Sequence, residues 1–444
     1  MTRTHTASAS LVGADHLRVG AAMGLPTEMV EYIFGFFSKT FAACYPESFP
    51  WFLGHICSRW RSIFLSMIKH FWRKISIFYP TPWDYDHDYG DVVRFFLQRK
   101  PEAPFSFHFT LSDTVTNYSQ GASDIFNILE MMTDESMRWD SLLFDALLPE
   151  DLLLLARAKN RIKNRIPLLR TVQLHTNRSA GEPLNDMFQT APSLNAIEVY
   201  HLLGWQFNWS NLTDVVVRYM RDGDLTALSQ MTKLERLSMN GNYCDDTPSD
   251  VIVLPRLTSL VCGPTWLPLL NAPALETLSV YDIDRNSFDV VLSFIQRSSC
   301  DISHFGIHTT QSGTVLEIIR HTPNLISLNL HDIHDIGLVL EKLTVPTEPG
   351  PGQLVRHMES LDIIYNYAHD TIAALRQLPD LISSRTGTTA HHAGCAELRR
   401  LEICRSLLPL ASPDTLKTIA TLCNERGVQS IWLHKWIKFK QKTK

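Results

Sequence analysis

Three short stretches carry the side chains best suited to chemistry. Asp84, Asp86 and Asp88 alternate with other residues ahead of Gly90, which is close to a calcium-loop spacing. Such a loop needs glycine directly after the third acidic position and a glutamate six residues beyond the glycine. Tyr89 and Phe95 stand at those positions, so the stretch reads as a solvated loop. His331, Asp332, His334 and Asp335 are ligand types, but they directly follow a strand-like run instead of sharing one helix face. They read as a turn. His391 and His392 lie in a Gly/Thr-rich stretch with no partner motif. The eight cysteines (among them Cys44, Cys57, Cys262 and Cys423) form no Cys-x-x-Cys pair, which argues against finger-type zinc. Phosphate-loop, dinucleotide-binding, nucleophile-elbow and His-Glu-x-x-His motifs are absent. The expectation is no catalytic residue, no metal, no cofactor and no enzyme activity.

Composition sets the frame around these residues. The chain has 444 residues, a formal charge of −5 and 45% hydrophobic residues. That length suits one small and one large domain, and the mild acidity exerts no general pull toward nucleic acid or anionic membrane. Residues 1–20 are Ser/Thr-rich and aperiodic, without an apolar run of signal-peptide length, and no stretch reaches 18 uninterrupted apolar residues. The expectation is a disordered lead, no membrane span and residence in the cytoplasm or nucleus. At the other end, residues 435–444 alternate lysine with Trp436 and Phe439 and read as a solvated basic tail.

Two kinds of element must position any site. The first spans residues 21–75. Leu25-Pro26-Thr27-Glu28 opens a run in which Met29, Ile33 and Phe36 fall at helical spacing, with Thr27 expected to cap the helix and Glu28 and Glu31 suited to its first turns. After Pro50, the residues Trp51, Phe52, Ile56, Trp60, Ile63 and Phe64 again recur every three or four positions. A third run at 67–72 leads into Ile75-Ser76-Ile77. Three short amphipathic helices make too small a core for comfortable independent stability, so such a unit gains by docking on something else. The Leu-Pro-x-Glu start followed by Cys57-x-x-Trp60-Arg61 resembles the F-box, in the form found in F-box-like proteins of mushroom-forming fungi. That resemblance covers about 55 residues and implies binding to a Skp-type adaptor, and through it to cullin and RING subunits. It assigns the adaptor contact to Leu25, Pro26, Met29 and Ile33 and places Trp60 inside the module. Residues 39–47 separate the helices more widely than in that family.

The second kind of element fills residues 76–434. A unit of apolar, two polar, apolar, polar, apolar recurs from Leu169-x-x-Val172-x-Leu174 to Leu325-x-x-Leu328-x-Leu330, at steps of 18 to 27 residues. Looser copies include Trp139-x-x-Leu142-x-Phe144 before it and Leu361-x-Ile363, Leu398-x-x-Leu401-x-Ile403 and Val428-x-x-Ile431-x-Leu433 after it. Pro192, Pro255, Pro273 and Pro323 each precede a first apolar residue by two positions. Irregular spacing in the low twenties is that of leucine-rich repeats. One unit cannot bury its own apolar face, so neighbours must stack. The fold class expected is α/β, a small helical module followed by an irregular leucine-rich-repeat solenoid whose parallel sheet lines a concave side. Residues 346–352 and 384–394 read as exposed loops.

By resemblance the chain is the substrate receptor of an SCF-type cullin–RING ubiquitin ligase, and an unknown target protein would meet the polar positions of the repeat strands. Those of most interest are Arg170, Glu198, Arg236, Glu276 and Asn329. The alternative is a repeat scaffold that binds proteins without any ubiquitin role.

Overall fold

The computed structural model describes residues 24–37, 41–42, 49–67, 71–79, 89–98, 103–111, 122–146, 152–175, 184–241, 251–284, 287–309, 311–345, 354–364, 371–392, 395–403 and 412–430. The acidic stretch 84–88, the lead 1–20, the loop 346–352 and the basic tail 435–444 lie outside them. The chain divides into two compact units, residues 1–200 with 204–208, and residues 201–203 with 209–444.

The first unit begins with α1 (Thr27–Phe34), the two-residue strand β1 (Phe41–Ala42), a 3-10 turn (Trp51–His55) and α2 (Ser58–Ser66). Pro26, not Thr27, is the residue before α1; its side chain caps nothing, while the Thr27 hydroxyl accepts from Arg59 Nη2 at 3.4 Å. At α2 the cap is the Cys57 sulfur, which accepts from the Trp60 amide. These helices close on rings. Phe34 meets Trp60 at 5.2 Å between centroids, and Phe64 meets Phe71 at 4.9 Å. β2 (Lys74–Tyr79), α3 (Tyr89–Gln98), β3 (Phe105–Leu111), α4 (Ala122–Asp134), β4 (Trp139–Ala146), α5 (Leu152–Ile162), β5 (Thr171–His175) and β6 (Ala196–Val199) complete the unit. Its six strands pair in parallel and in chain order.

The second unit repeats that logic with β7 (Asp214–Val217), α6 (Leu225–Ser229), β8 (Arg236–Met239), β9 (Ile252–Val253), β10 (Ser259–Cys262), β11 (Leu270–Asn271) and β12 (Thr277–Ile283). It continues with α7 (Phe288–Ser298), β13 (His304–Thr309), α8 (Ser312–Arg320), β14 (Ser327–His331), α9 (Ile336–Leu343), β15 (Ser360–Ile364), α10 (Thr371–Ser384), α11 (Gly387–His392), β16 (Arg400–Ile403) and α12 (Pro413–Glu425). Apart from β9, which pairs with β11, the strands again follow chain order in one parallel sheet.

Register explains the repeat. Leu237, Leu260, Leu278, Phe305, Leu328, Leu361 and Leu401 lie in one cross-strand row, and all are buried. Alternation in a strand then turns every intervening residue to the open face. Each Pro noted in the sequence sits second in a reverse turn: Leu194 donates to Ala191, Leu257 to Leu254, Leu275 to Ala272 and Leu325 to Thr322. Proline's fixed φ suits that position, and the turn drives the first leucine of the unit inward. The strand starts are stapled by one carbonyl receiving two amides. Glu276 O takes Ser303 and His304, Ser303 O takes Ile326 and Ser327, and Glu359 O takes Arg399 and Arg400. This ladder fixes one repeat on the next independently of side chains.

The segment 384–392 departs from the expected loop. It ends α10 and forms α11, and Ser384, Arg385 and Thr386 are buried. A guanidinium is responsible. Arg385 donates through Nε to Leu343 O at 2.7 Å, through Nη1 to Val355 O and through Nη2 to Leu354 O, both at 3.0 Å. Arg297 does the same for Leu267 O and Leu270 O. An arginine fork offers enough donors to satisfy carbonyls that lose their partners where the chain turns.

Candidate functional sites

The first candidate lies on the N-terminal helices. Val30 and Phe34 fill the inner side of α1. On the opposite side, Met29 is 49% exposed, Tyr32 66% and Phe36 73%, and Phe52 of the 3-10 turn is 54% exposed. Tyr32 and Phe36 pack edge to face at 5.0 Å, which holds the exposed rings together as one surface. Of the residues implicated by resemblance, Pro26 and Met29 are exposed, Leu25 and Ile33 half-buried. Trp60 is buried against Phe34. A helix of eight residues with apolar side chains on both sides has more apolar surface than its own core can use.

The second candidate is the open face of the sheet. Arg170 and Glu198 belong to the first unit. Arg170 Nε lies 3.7 Å from Asp140, and Glu198 accepts from Gln173 at 3.1 Å and lies 3.0 Å from His175 Nε2. Arg236, Glu276 and Asn329 belong to the second unit. Arg236 pairs with Asp214 on the adjacent strand, and Glu276 is exposed directly before β12. Asn329 lies mid-row on β14, four strand steps from Arg236, or about 19 Å at the usual strand spacing. The three positions of the second unit therefore do not converge.

Of the residues that do converge, Asn329 alone was singled out from sequence. Asn329, Asp362 and Glu402 are register partners on β14, β15 and β16. Asp362 and Glu402 are the polar residues inside Leu361-x-Ile363 and Leu401-x-Ile403, so the rule that picked Asn329 would have found them in the looser copies. Nearby, His308 Nε2 lies 2.8 Å from Asp332 and Nδ1 lies 3.4 Å from Asp282. Both aspartates have positive φ, at 52° and 56°. Burial and the neighbouring His308 push the His331 imidazole down. Among the described residues, no three His, Cys, Asp or Glu side chains gather in a metal-binding group.

In the first unit, burial, aided by Lys74, pushes His108 from 6.5 down to about 4. Its folded value lies below its unfolded one, so the unfolded chain takes the proton first. This contribution to stability is complete above about pH 6.5 and is lost as the pH falls toward 4. Urea midpoints measured at pH 7 and pH 5 are expected to fall on acidification, and His108→Gln should flatten the difference. An unchanged slope in that variant would assign the pH dependence elsewhere.

Comparison with known proteins adds little to this geometry. No family model matches the chain, and no curated protein matches it significantly. Several solved structures are similar in fold, an internalin among them. The internalin, from Listeria monocytogenes, is 14% identical, with 61% of this chain and 78% of that chain covered at a TM-score of 0.26. The solenoid architecture accordingly rests on the strand order and register above.

Proposed function

We propose that this chain is the target-recognition subunit of an SCF-type cullin–RING ubiquitin ligase. In this reading the exposed side of α1 and the 3-10 turn bind a Skp-type adaptor, and the open sheet face binds the protein to be modified. The observation that carries it is the two-sided apolar character of α1: Val30 and Phe34 are spent on the module's own core, while Met29 and Tyr32, with Phe36 in the turn just past the helix, face solvent. The resemblance of the Leu-Pro-x-Glu and Cys-x-x-Trp-Arg motifs to the F-box implies that a Skp-type adaptor would cover them. The subunit performs no covalent chemistry; it raises the effective concentration of the target beside a bound ubiquitin-conjugating enzyme. The cytoplasm or nucleus is the corresponding location, and no helix among the described residues is long and apolar enough to cross a membrane.

Co-expression with a Skp-type adaptor tests the proposal. The wild-type chain should copurify with the adaptor, and the Leu25→Ala/Pro26→Ala variant should not. If neither copurifies, or both do equally, the second reading stands in its place: a protein-binding repeat scaffold, for which the extended open sheet face is sufficient.

A further inference from the structure

In the first unit, positive charge gathers beside a pocket. α5 and the turn after it carry Arg157, Lys159, Arg161, Lys163 and Arg165. Among the described residues, three carboxylates answer these five cations. Arg161 lies 3.1 Å from Glu130 and 3.4 Å from Asp134 on α4, and Lys159 and Lys163 share Asp186. Arg165 donates to a main-chain oxygen, Asp134 O, at 3.0 Å. Arg157 has neither a carboxylate nor a hydrogen-bond acceptor among the described residues. Its guanidinium carbon instead sits over the Phe126 ring, 4.4 Å from the centroid. A ring face holds a cation through its quadrupole and consumes no N–H group, so the donors of Arg157 stay open to a partner.

The same guanidinium lines a pocket of about 230 Å³ between α4 and α5. Buried Leu129 and Ala158, with half-buried Phe126, make its apolar lining, while Glu130 and Arg161, already paired with each other, stand at its rim. Sites for drug-sized ligands run to roughly 300–1,000 Å³, so this smaller space suits a single side chain. An apolar lining next to one unspent guanidinium calls for an apolar group next to a carboxylate, which the arginine fork can hold through two donors. We propose that α4 and α5 dock an acidic segment of a protein partner, seating one apolar side chain on Phe126, Leu129 and Ala158 and an adjacent aspartate or glutamate against Arg157. The surplus of cations on α5 complements further acidic residues of the segment. Nucleic acid fits less well, because a surplus of two charges supports few phosphate contacts and the apolar lining offers a phosphate nothing. This inference does not depend on the receptor reading above.

The test uses the purified full chain and a displayed library of random peptides about 12 residues long, enough when extended to run the length of α5. Selected peptides should share an aspartate or glutamate beside a leucine or aromatic residue. For one such synthetic peptide, Arg157→Met should weaken binding about tenfold or more, the size of one charge-assisted hydrogen bond. Methionine keeps a contact with the Phe126 ring and removes the donors. Arg157→Lys keeps the charge without the fork and should retain part of the affinity. Replacing the acidic residue of the peptide by its amide should weaken wild-type binding similarly and add little in the Arg157→Met background. Melting temperatures report whether the variants fold. No selected peptide, no shared acidic residue, or equal binding by folded Arg157→Met would overturn the site. A single-stranded oligonucleotide that binds as tightly as the peptide, and loses that binding in Arg157→Met, would overturn the protein partner in favour of nucleic acid.

Discussion

Arg385→Met is expected to destabilise the second unit by about 3–5 kcal/mol, from orphaned acceptors at roughly 1–3 kcal/mol each. The side chain is 1% exposed and its three donors satisfy Leu343 O, Val355 O and Leu354 O. No carboxylate among the described residues pairs with it. Burial lowers its pKa to about 10, so it remains charged at neutral pH. Methionine fills similar volume but donates nothing. Lysine brings one donor centre in place of a planar fork, so Arg385→Lys should recover only part of the loss. Urea denaturation followed by circular dichroism measures both. A loss below about 1 kcal/mol for Arg385→Met would show that water replaces the fork and that it does not organise the α10–α11 corner.

The second large effect concerns the N-terminal helices. Phe34 is fully buried, with Trp60, Phe64 and Phe71 at centroid distances of 5.2, 6.3 and 6.5 Å. Phe34→Ala is expected to cost about 3–5 kcal/mol through lost transfer energy and an unfilled cavity. Two residues along, Phe36 is equally large and is exposed, and Phe36→Ala should change stability by no more than about 0.5 kcal/mol. Tryptophan fluorescence, with Trp60 as a nearby reporter, follows the unfolding. Similar losses for both variants would contradict the inner and outer sides of α1 described above. A silent Phe36→Ala that nevertheless weakens adaptor binding would show what its exposure is for.

Much of this architecture was legible in the chain, and the reason is periodicity. Wherever apolar-x-x-apolar-x-apolar recurs between Leu169 and Leu330, a parallel strand stands with those residues inward. Burial of one face leaves no other register. Four features were not legible. β1 is only two residues long, too short to show a period, yet Phe41 and Ala42 pair with Ile75 and Ser76 inside the stretch 39–47 that separates the helices. The Gly/Thr-rich stretch after Ser384 looked like a loop because its composition is that of loops. A single buried arginine, whose partners lie 30 to 42 residues earlier, makes it part of the core instead. The row Asn329–Asp362–Glu402 depends on which strands become neighbours, and residues 346–353 and 365–370 interrupt the repeat spacing before that pairing is reached. Around α1, helical spacing identified an apolar stripe but could not say that Met29, and Phe36 just past the helix, are exposed while Val30 and Phe34 are buried.

The claim that organises the rest is that the outer side of α1 is a docking surface for an adaptor. Titration of the purified chain with a purified Skp-type adaptor, followed by calorimetry, measures it directly. The account predicts saturable one-to-one binding, weakened at least about thirtyfold by Met29→Asp, as for a truncated interface anchor of about 2 kcal/mol, with the melting temperature unchanged. No heat of binding in the wild type, or an affinity indifferent to Met29→Asp, would contradict it.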